Sequence, residues 1–119
     1  MKGYVDVFLL VVPKKNFAAY KRLARRFAKV AGDLGALECR EFVAEDVKTP
    51  HLQPFPKIMK VKANEVLVHS VIEYRSRKHR DQVNKALMAD PRMKKMMKEK
   101  PLFDMKRMAY GGFETFSAI

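Results

Sequence analysis

Two segments of this chain are apolar on both faces of a strand. Tyr4-Val5-Asp6-Val7-Phe8-Leu9-Leu10-Val11-Val12 is rich in β-branched and aromatic residues and is closed by Pro13, which is strand chemistry. Side chains alternate between the two sides of a strand. Val5, Val7, Leu9 and Val11 therefore fall on one face, and Tyr4, Phe8, Leu10 and Val12 on the other, with only Asp6 breaking the pattern. Val66 to Tyr74 behaves alike: Val66, Val68, Ile72 and Tyr74 share a face with Ser70, while Leu67 and Val71 share the other with His69 and Glu73. A strand apolar on both sides must be covered on both sides, so these two segments belong in the middle of a sheet.

The intervening chain supplies a helix and a weaker strand. Asn16 stands where a helix cap is expected, and Phe17, Tyr20, Ala24, Phe27, Ala28, Ala31 and Leu34 recur at helical spacing up to Gly35, a C-terminal cap. Ala36 to Ala44 alternates imperfectly, as an edge strand does. Pro50, Pro54 and Pro56 predict a loop over residues 45–60 without regular structure. Ser76 caps a second helix through about Met88, with His79, Val83, Ala86 and Leu87 inward. Asp90-Pro91 starts a short helix whose apolar side is Met93, Met96 and Met97, and Pro101 ends it. Gly111 to Phe116 reads as a last strand, starting near Met108 at the earliest.

The order strand, helix, strand, strand, helix, strand is that of the α+β ferredoxin-like fold (βαββαβ), an antiparallel sheet with its helices on one face. In that topology the first and third strands are central, in agreement with their doubly apolar character. The helices shield one face, and a chain of 119 residues has little left for the other. The expectation is a homodimer packed sheet against sheet. The alternative is a monomer with the long loop and the Met-rich helix folded over that face.

The length fits one domain over residues 1–119. One cysteine excludes an internal disulfide framework, and Cys39 lies in an apolar stretch as a packed thiol. No targeting segment is expected: Met1-Lys2-Gly3 leads into an apolar run that carries Asp6 and stops at Pro13, too short to span a membrane. These features point to the cytoplasm.

Several motifs yield to simpler readings. His79-Arg80-Asp81 matches a kinase catalytic-loop triplet, but Asn84 comes too early and no glycine-rich phosphate loop exists; His79 reads as a helix-face histidine packed near Val83. His51, His69, His79 and Cys39 are scattered and give no metal-ligand spacing. Gly111-Gly112 precedes no helix that would receive an anion, so a kink or bulge entering the last strand is expected. Nothing calls for a cofactor.

Lys plus Arg number 25 against 13 Asp plus Glu, a net charge of +12. Lys21, Arg22, Arg25, Arg26 and Lys29 line the first helix; Arg75, Arg77, Lys78 and Arg80 form a second cluster; Lys94, Lys95, Lys98 and Lys100 a third. Such stripes can follow a nucleic-acid backbone, but the strands carry no aromatic signature for reading RNA. A solvated helix face is the simpler reading, and nucleic acid is not the favoured partner.

Asp6, His69 and Glu73 are polar side chains on otherwise apolar strands, and buried polar groups need partners. His69 and Glu73 share strand parity and could line one cleft between sheet and helices, with Asp104, Arg107 and Tyr110 near the last strand at its mouth. The alternative is that these groups pair among themselves or sit in water at the rim. Three functions are open: binding of a small organic ligand in that cleft; a cofactor-independent oxygenase or isomerase with His69 as base; and a basic-surface nucleic-acid binder.

Five segments together resemble the bacterial YbaA-like family: Tyr4-Val5-Asp6 with Val12-Pro13-Lys14, Gly35-Ala36-Leu37-Glu38, Ser76 to Asn84, Met88-Ala89-Asp90-Pro91-Arg92-Met93, and Phe103 to Glu114 with its Arg-Met-Ala-Tyr-Gly-Gly-Phe-Glu run. The resemblance covers nearly the whole chain. It implies a ferredoxin-like fold of the dimeric α/β-barrel group, whose wider membership includes cofactor-independent oxygenases and small-molecule binding proteins. The family is a domain of unknown function, so no catalytic residues are carried over from it.

Overall fold

The computed structural model describes residues 3–119; the leader reading at Met1 and Lys2 lies outside them. β1 (Tyr4–Pro13) pairs antiparallel with β3 (Glu65–Tyr74) along its whole length, from Tyr4 opposite Tyr74 to Pro13 opposite Glu65. β2 (Glu38–Val43) flanks β3 and β4 (Ala109–Glu114) flanks β1, giving the order β2-β3-β1-β4. The two doubly apolar strands are thus the central pair.

A 3-10 turn (Lys14–Asn16) leads into α1 (Phe17–Asp33). Asn16 does not cap it with its side chain. Its backbone is already helical (φ −100°, ψ −3°), unlike the extended backbone of a capping residue, and its Nδ2 donates instead to the Leu102 carbonyl at 3.0 Å. The other end matches expectation. Gly35 takes φ +114°, where a Cβ would be strained, and the Gly35 and Ala36 amides donate to the Gly32 and Ala31 carbonyls at 3.1 and 2.9 Å, the two bonds of a Schellman motif.

α3 (Arg77–Ala89) and α4 (Pro91–Met97) follow β3, each with its expected cap: Ser76 accepts from the His79 amide and Asp90 from the Arg92 amide. The loop between β2 and β3 is less irregular than its prolines suggest. Phe55–Ile58 forms a helical turn, α2, with Pro56 in its first turn, where the missing amide proton costs nothing.

Even-numbered residues of β1 and β3 face the helices. Tyr4, Ile72 and Tyr74 pack with Val30, Ala31, Val83, Leu87 and Met96, and Leu10, Val12 and Val68 pack with Tyr20. α4 joins this same layer through Met93 and Met96, whereas Met97 is 57% exposed. The Met-rich helix therefore does not roof the far side of the sheet. There the loop covers one end only, where Met59 closes over Val11 and Leu67. Val11 and Val12, on opposite faces, are both fully enclosed, each contributing roughly 1.5–3 kcal/mol. Elsewhere on the open face Val5, Val7, Leu9 and Val71 stay half-buried and Phe113 is 58% exposed.

β4 shows no bulge. Its register with β1 runs unbroken from Tyr4 opposite Glu114 to Leu9 opposite Ala109. Gly112 has a different reason to be glycine: a Cβ there would lie 2.8 Å from Tyr4 Cζ and closer still to the Tyr4 hydroxyl.

Candidate functional site

The open face carries a cleft of about 280 Å³ lined by Glu38, Arg40, Phe42, His69, Val71 and Glu73. Strand register builds it. Glu38, Arg40 and Phe42 of β2 lie opposite Glu73, Val71 and His69 of β3, so all six side chains share one face. Three of them form a row: the Arg40 guanidinium sits 4.8 Å over the Phe42 ring, and Phe42 stacks on His69 at 5.7 Å. The far end is acidic. Like charges directly opposed across strands repel, and Glu38 is partly compensated by Arg40 at 3.5 Å. The cleft therefore offers a cation, a flat aromatic surface and an imidazole at one end, an apolar floor at Val71, and two carboxylates at the other.

A second polar cluster lies beneath the helices. Asp6 is 2% exposed. Its carboxylate accepts from the Tyr110 hydroxyl at 2.9 Å and faces the Arg80 guanidinium at 3.5 Å. Arg80 in turn donates to the hydroxyls of Tyr110 (2.6 Å) and Tyr4 (3.0 Å) and lies over the Tyr4 ring. Burial raises the Tyr110 phenol above its ordinary range, and the bond to Asp6 adds to it. Burial likewise raises Tyr74, whose enclosed hydroxyl has no partner among the described residues. Three of the segments that carry the family resemblance meet here, at Tyr4-Val5-Asp6, at Arg80 and at Tyr110-Gly111-Gly112.

A third group is a clamp. Arg107 bonds Glu65 through both guanidinium ends (3.0 and 2.5 Å), Asp104 at 3.1 Å and the Lys60 carbonyl at 3.2 Å. It ties the segment before β4 to the start of β3.

The five residues singled out from the sequence thus occupy three places. His69 and Glu73 share the open-face cleft, on the side away from the helices. Asp104 and Arg107 are joined in the clamp. Tyr110 belongs to the Asp6 cluster. Glu38, Arg40 and Phe42 were not singled out. Their signal is the pairing of β2 with β3, which sets Phe42 against His69 once the register is known. His79 is a packed helix residue, as read: its Nδ1 accepts from the Arg75 amide at 3.0 Å and its ring meets Tyr74 edge-on. Among the described residues no cluster of three potential metal ligands occurs, and no helix is long and apolar enough to cross a membrane.

Comparison with known proteins fits this picture. A model of the family described as "Protein of unknown function (DUF1428)" matches residues 3–105. The chain is 42% identical over 112 residues to the uncharacterized protein YbaA of Escherichia coli K12, covering 94% of this chain and 95% of that one, and equally to YbaA of Shigella flexneri. A solved structure, a dimeric ferredoxin-like protein from an uncultured marine organism, covers 100% of both chains with a TM-score of 0.60 at 10% identity, and so supports the ferredoxin-like fold. The YbaA-like resemblance is borne out, and the chain belongs to the DUF1428 family of proteins of unknown function.

Proposed function

We propose that the chain acts as a cytoplasmic homodimer of one-domain subunits, a dimeric α/β barrel, that binds a small organic ligand in the cleft over β2 and β3. One observation carries this reading: the uncovered face of the sheet is divided. Its β1–β4 half is apolar, with Val5, Val7, Leu9 and Phe113 partly or largely exposed. Its β2–β3 half is the polar cleft. A second copy laid on the apolar half removes that surface from water, the dominant favourable term in association. The cleft then lies at the rim of the interface, open to a ligand. The solved fold neighbour is described as dimeric, which supports the pairing. The ligand sits on the open face rather than between sheet and helices, because His69 and Glu73 share strand parity with Val71 and Leu67.

The lining selects the ligand class. The Arg40–Phe42–His69 row suits a flat molecule with an anionic oxygen at the Arg40 end and an apolar body over Val71. The test is a thermal-shift and NMR survey of small aromatic and enolic carboxylates. Binding that perturbs His69 and Val71 resonances and is lost in Arg40→Ala is expected; binding unchanged in that variant contradicts the assignment.

The second reading, a cofactor-independent oxygenase or isomerase with His69 as base, has one observation in its favour. No hydrogen bond from a described side chain occupies the His69 imidazole, so it is free to take a substrate proton. In that case His69→Ala keeps binding and loses turnover; unchanged turnover ends this reading.

A further inference from the structure

The outer face of α1 and α4 gathers charge from distant parts of the sequence. The two helices lie side by side: Arg26 bonds Glu99 just past α4 through both nitrogens (3.0 and 2.7 Å), and Arg92 of α4 reaches Asp33 at the end of α1 at 2.8 Å. Lys14 to Gly35 holds seven cations and one carboxylate; Asp90 to Lys100 holds five cations and two carboxylates. The two segments together hold nine of the twelve net positive charges of the chain, and the ion pairs between them bring the two helices side by side.

The three carboxylates of that face are already engaged, Asp33 by Arg92 and Lys29, Asp90 by Arg92, and Glu99 by Arg26. Lys21, Arg22, Arg25, Lys94, Lys95 and Lys98 are exposed and form no ion pair among the described residues. Like charges one helical turn apart are unfavourable, and a face built only for solubility intersperses both signs. This layout instead suits an external polyanion.

We propose that the α1–α4 face binds the phosphate backbone of duplex nucleic acid without reading its sequence. The aromatics of α1 are not available for stacking on bases: Tyr20 is buried, and Phe17 and Phe27 pack into the core. That favours backbone contacts over the stacking platforms used for single strands. Met97 is the large exposed apolar side chain of this face among the described residues, too little to enter a bilayer. The face lies on the helical side, away from the proposed dimer interface and cleft, so both surfaces can be occupied at once.

The experiment is fluorescence anisotropy of a labelled random-sequence duplex with the full chain. If four phosphates are neutralised, affinity falls about a hundredfold between about 50 and 200 mM salt. The variant Lys21→Gln/Arg22→Gln/Lys94→Gln/Lys98→Gln is expected to lose most of the low-salt binding and flatten the salt dependence. Lys57→Gln/Lys62→Gln, in the connection between β2 and β3, is expected to bind as the parent does. A circular dichroism spectrum of each variant reports folding. Absence of duplex binding at low salt, equal binding by the fourfold variant, or binding to phosphatidylserine vesicles in place of duplex would each overturn the proposal.

Discussion

Tyr110 donates its hydroxyl to the Asp6 carboxylate at 2.9 Å on the neighbouring strand, two residues along from its own register partner Phe8. This bond and Arg80 are what allow a carboxylate to sit inside an apolar strand. Taking one partner from a buried charge pair costs about 3–5 kcal/mol, because the other charge is left uncompensated. Asp6→Ala is therefore expected to lower unfolding stability by about 3 kcal/mol. Tyr110→Phe, which removes the hydroxyl's bonds to Asp6 and from Arg80 but leaves the ion pair, is expected to cost about 2 kcal/mol. Urea denaturation at pH 7 measures both; equal losses would contradict the ranking.

Neighbouring glycines of β4 are expected to respond differently to a methyl group. At Gly112 the added carbon meets the Tyr4 ring, which is held by Arg80 and the core. Overpacking of this kind costs about 1–3 kcal/mol. At Gly111 the nearest atom is 3.3 Å away on Phe113, which in a single subunit is exposed and has room to swing. Gly112→Ala is expected to lower the unfolding midpoint clearly and Gly111→Ala to leave the monomer's stability nearly unchanged. The reverse order in chemical denaturation would contradict the packing assigned to Tyr4.

Glu65 gives acid unfolding a specific contributor. Its bonds to Arg107, and next to the Lys62 amide, push its carboxyl down to about 2. A group held lower in the folded chain adds stability above its unfolded value, near 4.3 for Glu, and loses it as pH falls toward 2. Arg107→Ala is expected to flatten the fall in stability across that window. An unaltered acid profile would show that the clamp does not tie the segment before β4 to β3.

Cys39 is expected to be a slow thiol. Burial, and after it the charge of Glu41, pushes it up to about 11. Because the thiolate is the reactive form, the folded chain at pH 8 is expected to react with Ellman's reagent about a hundredfold more slowly than the unfolded chain. Comparable rates would place the thiol in solvent.

The doubly apolar stretches at Tyr4 to Val12 and Val66 to Tyr74 mark the central strands in the sequence itself, because burial on both faces leaves its trace residue by residue. Caps written in short-range chemistry, at Ser76, Asp90 and Gly35, were equally legible. Asn16 was not, because a 3-10 turn ahead of α1 gave it a helical backbone and its amide a distant partner in Leu102. The glycine pair hides its role for a related reason: Gly112 is dictated by the Tyr4 ring on another strand, not by its own φ. The cleft was half legible. His69 and Glu73 stand out within β3, but Arg40 and Phe42 become its lining only through the β2–β3 register, which local sequence does not encode. Tyr110 and Arg107 lie close in the chain, yet one points beneath the helices and the other clamps the end of β3.

The central claim is that a second copy covers the apolar half of the open face. The direct measurement is the solution mass by light scattering at micromolar concentration, for the parent chain and for Val7→Glu, which places a charge in the middle of that half. The account predicts twice the chain mass of 13.8 kDa for the parent and a folded monomer for Val7→Glu. A parent chain that is monomeric, or a dimer that Val7→Glu leaves intact, would contradict it.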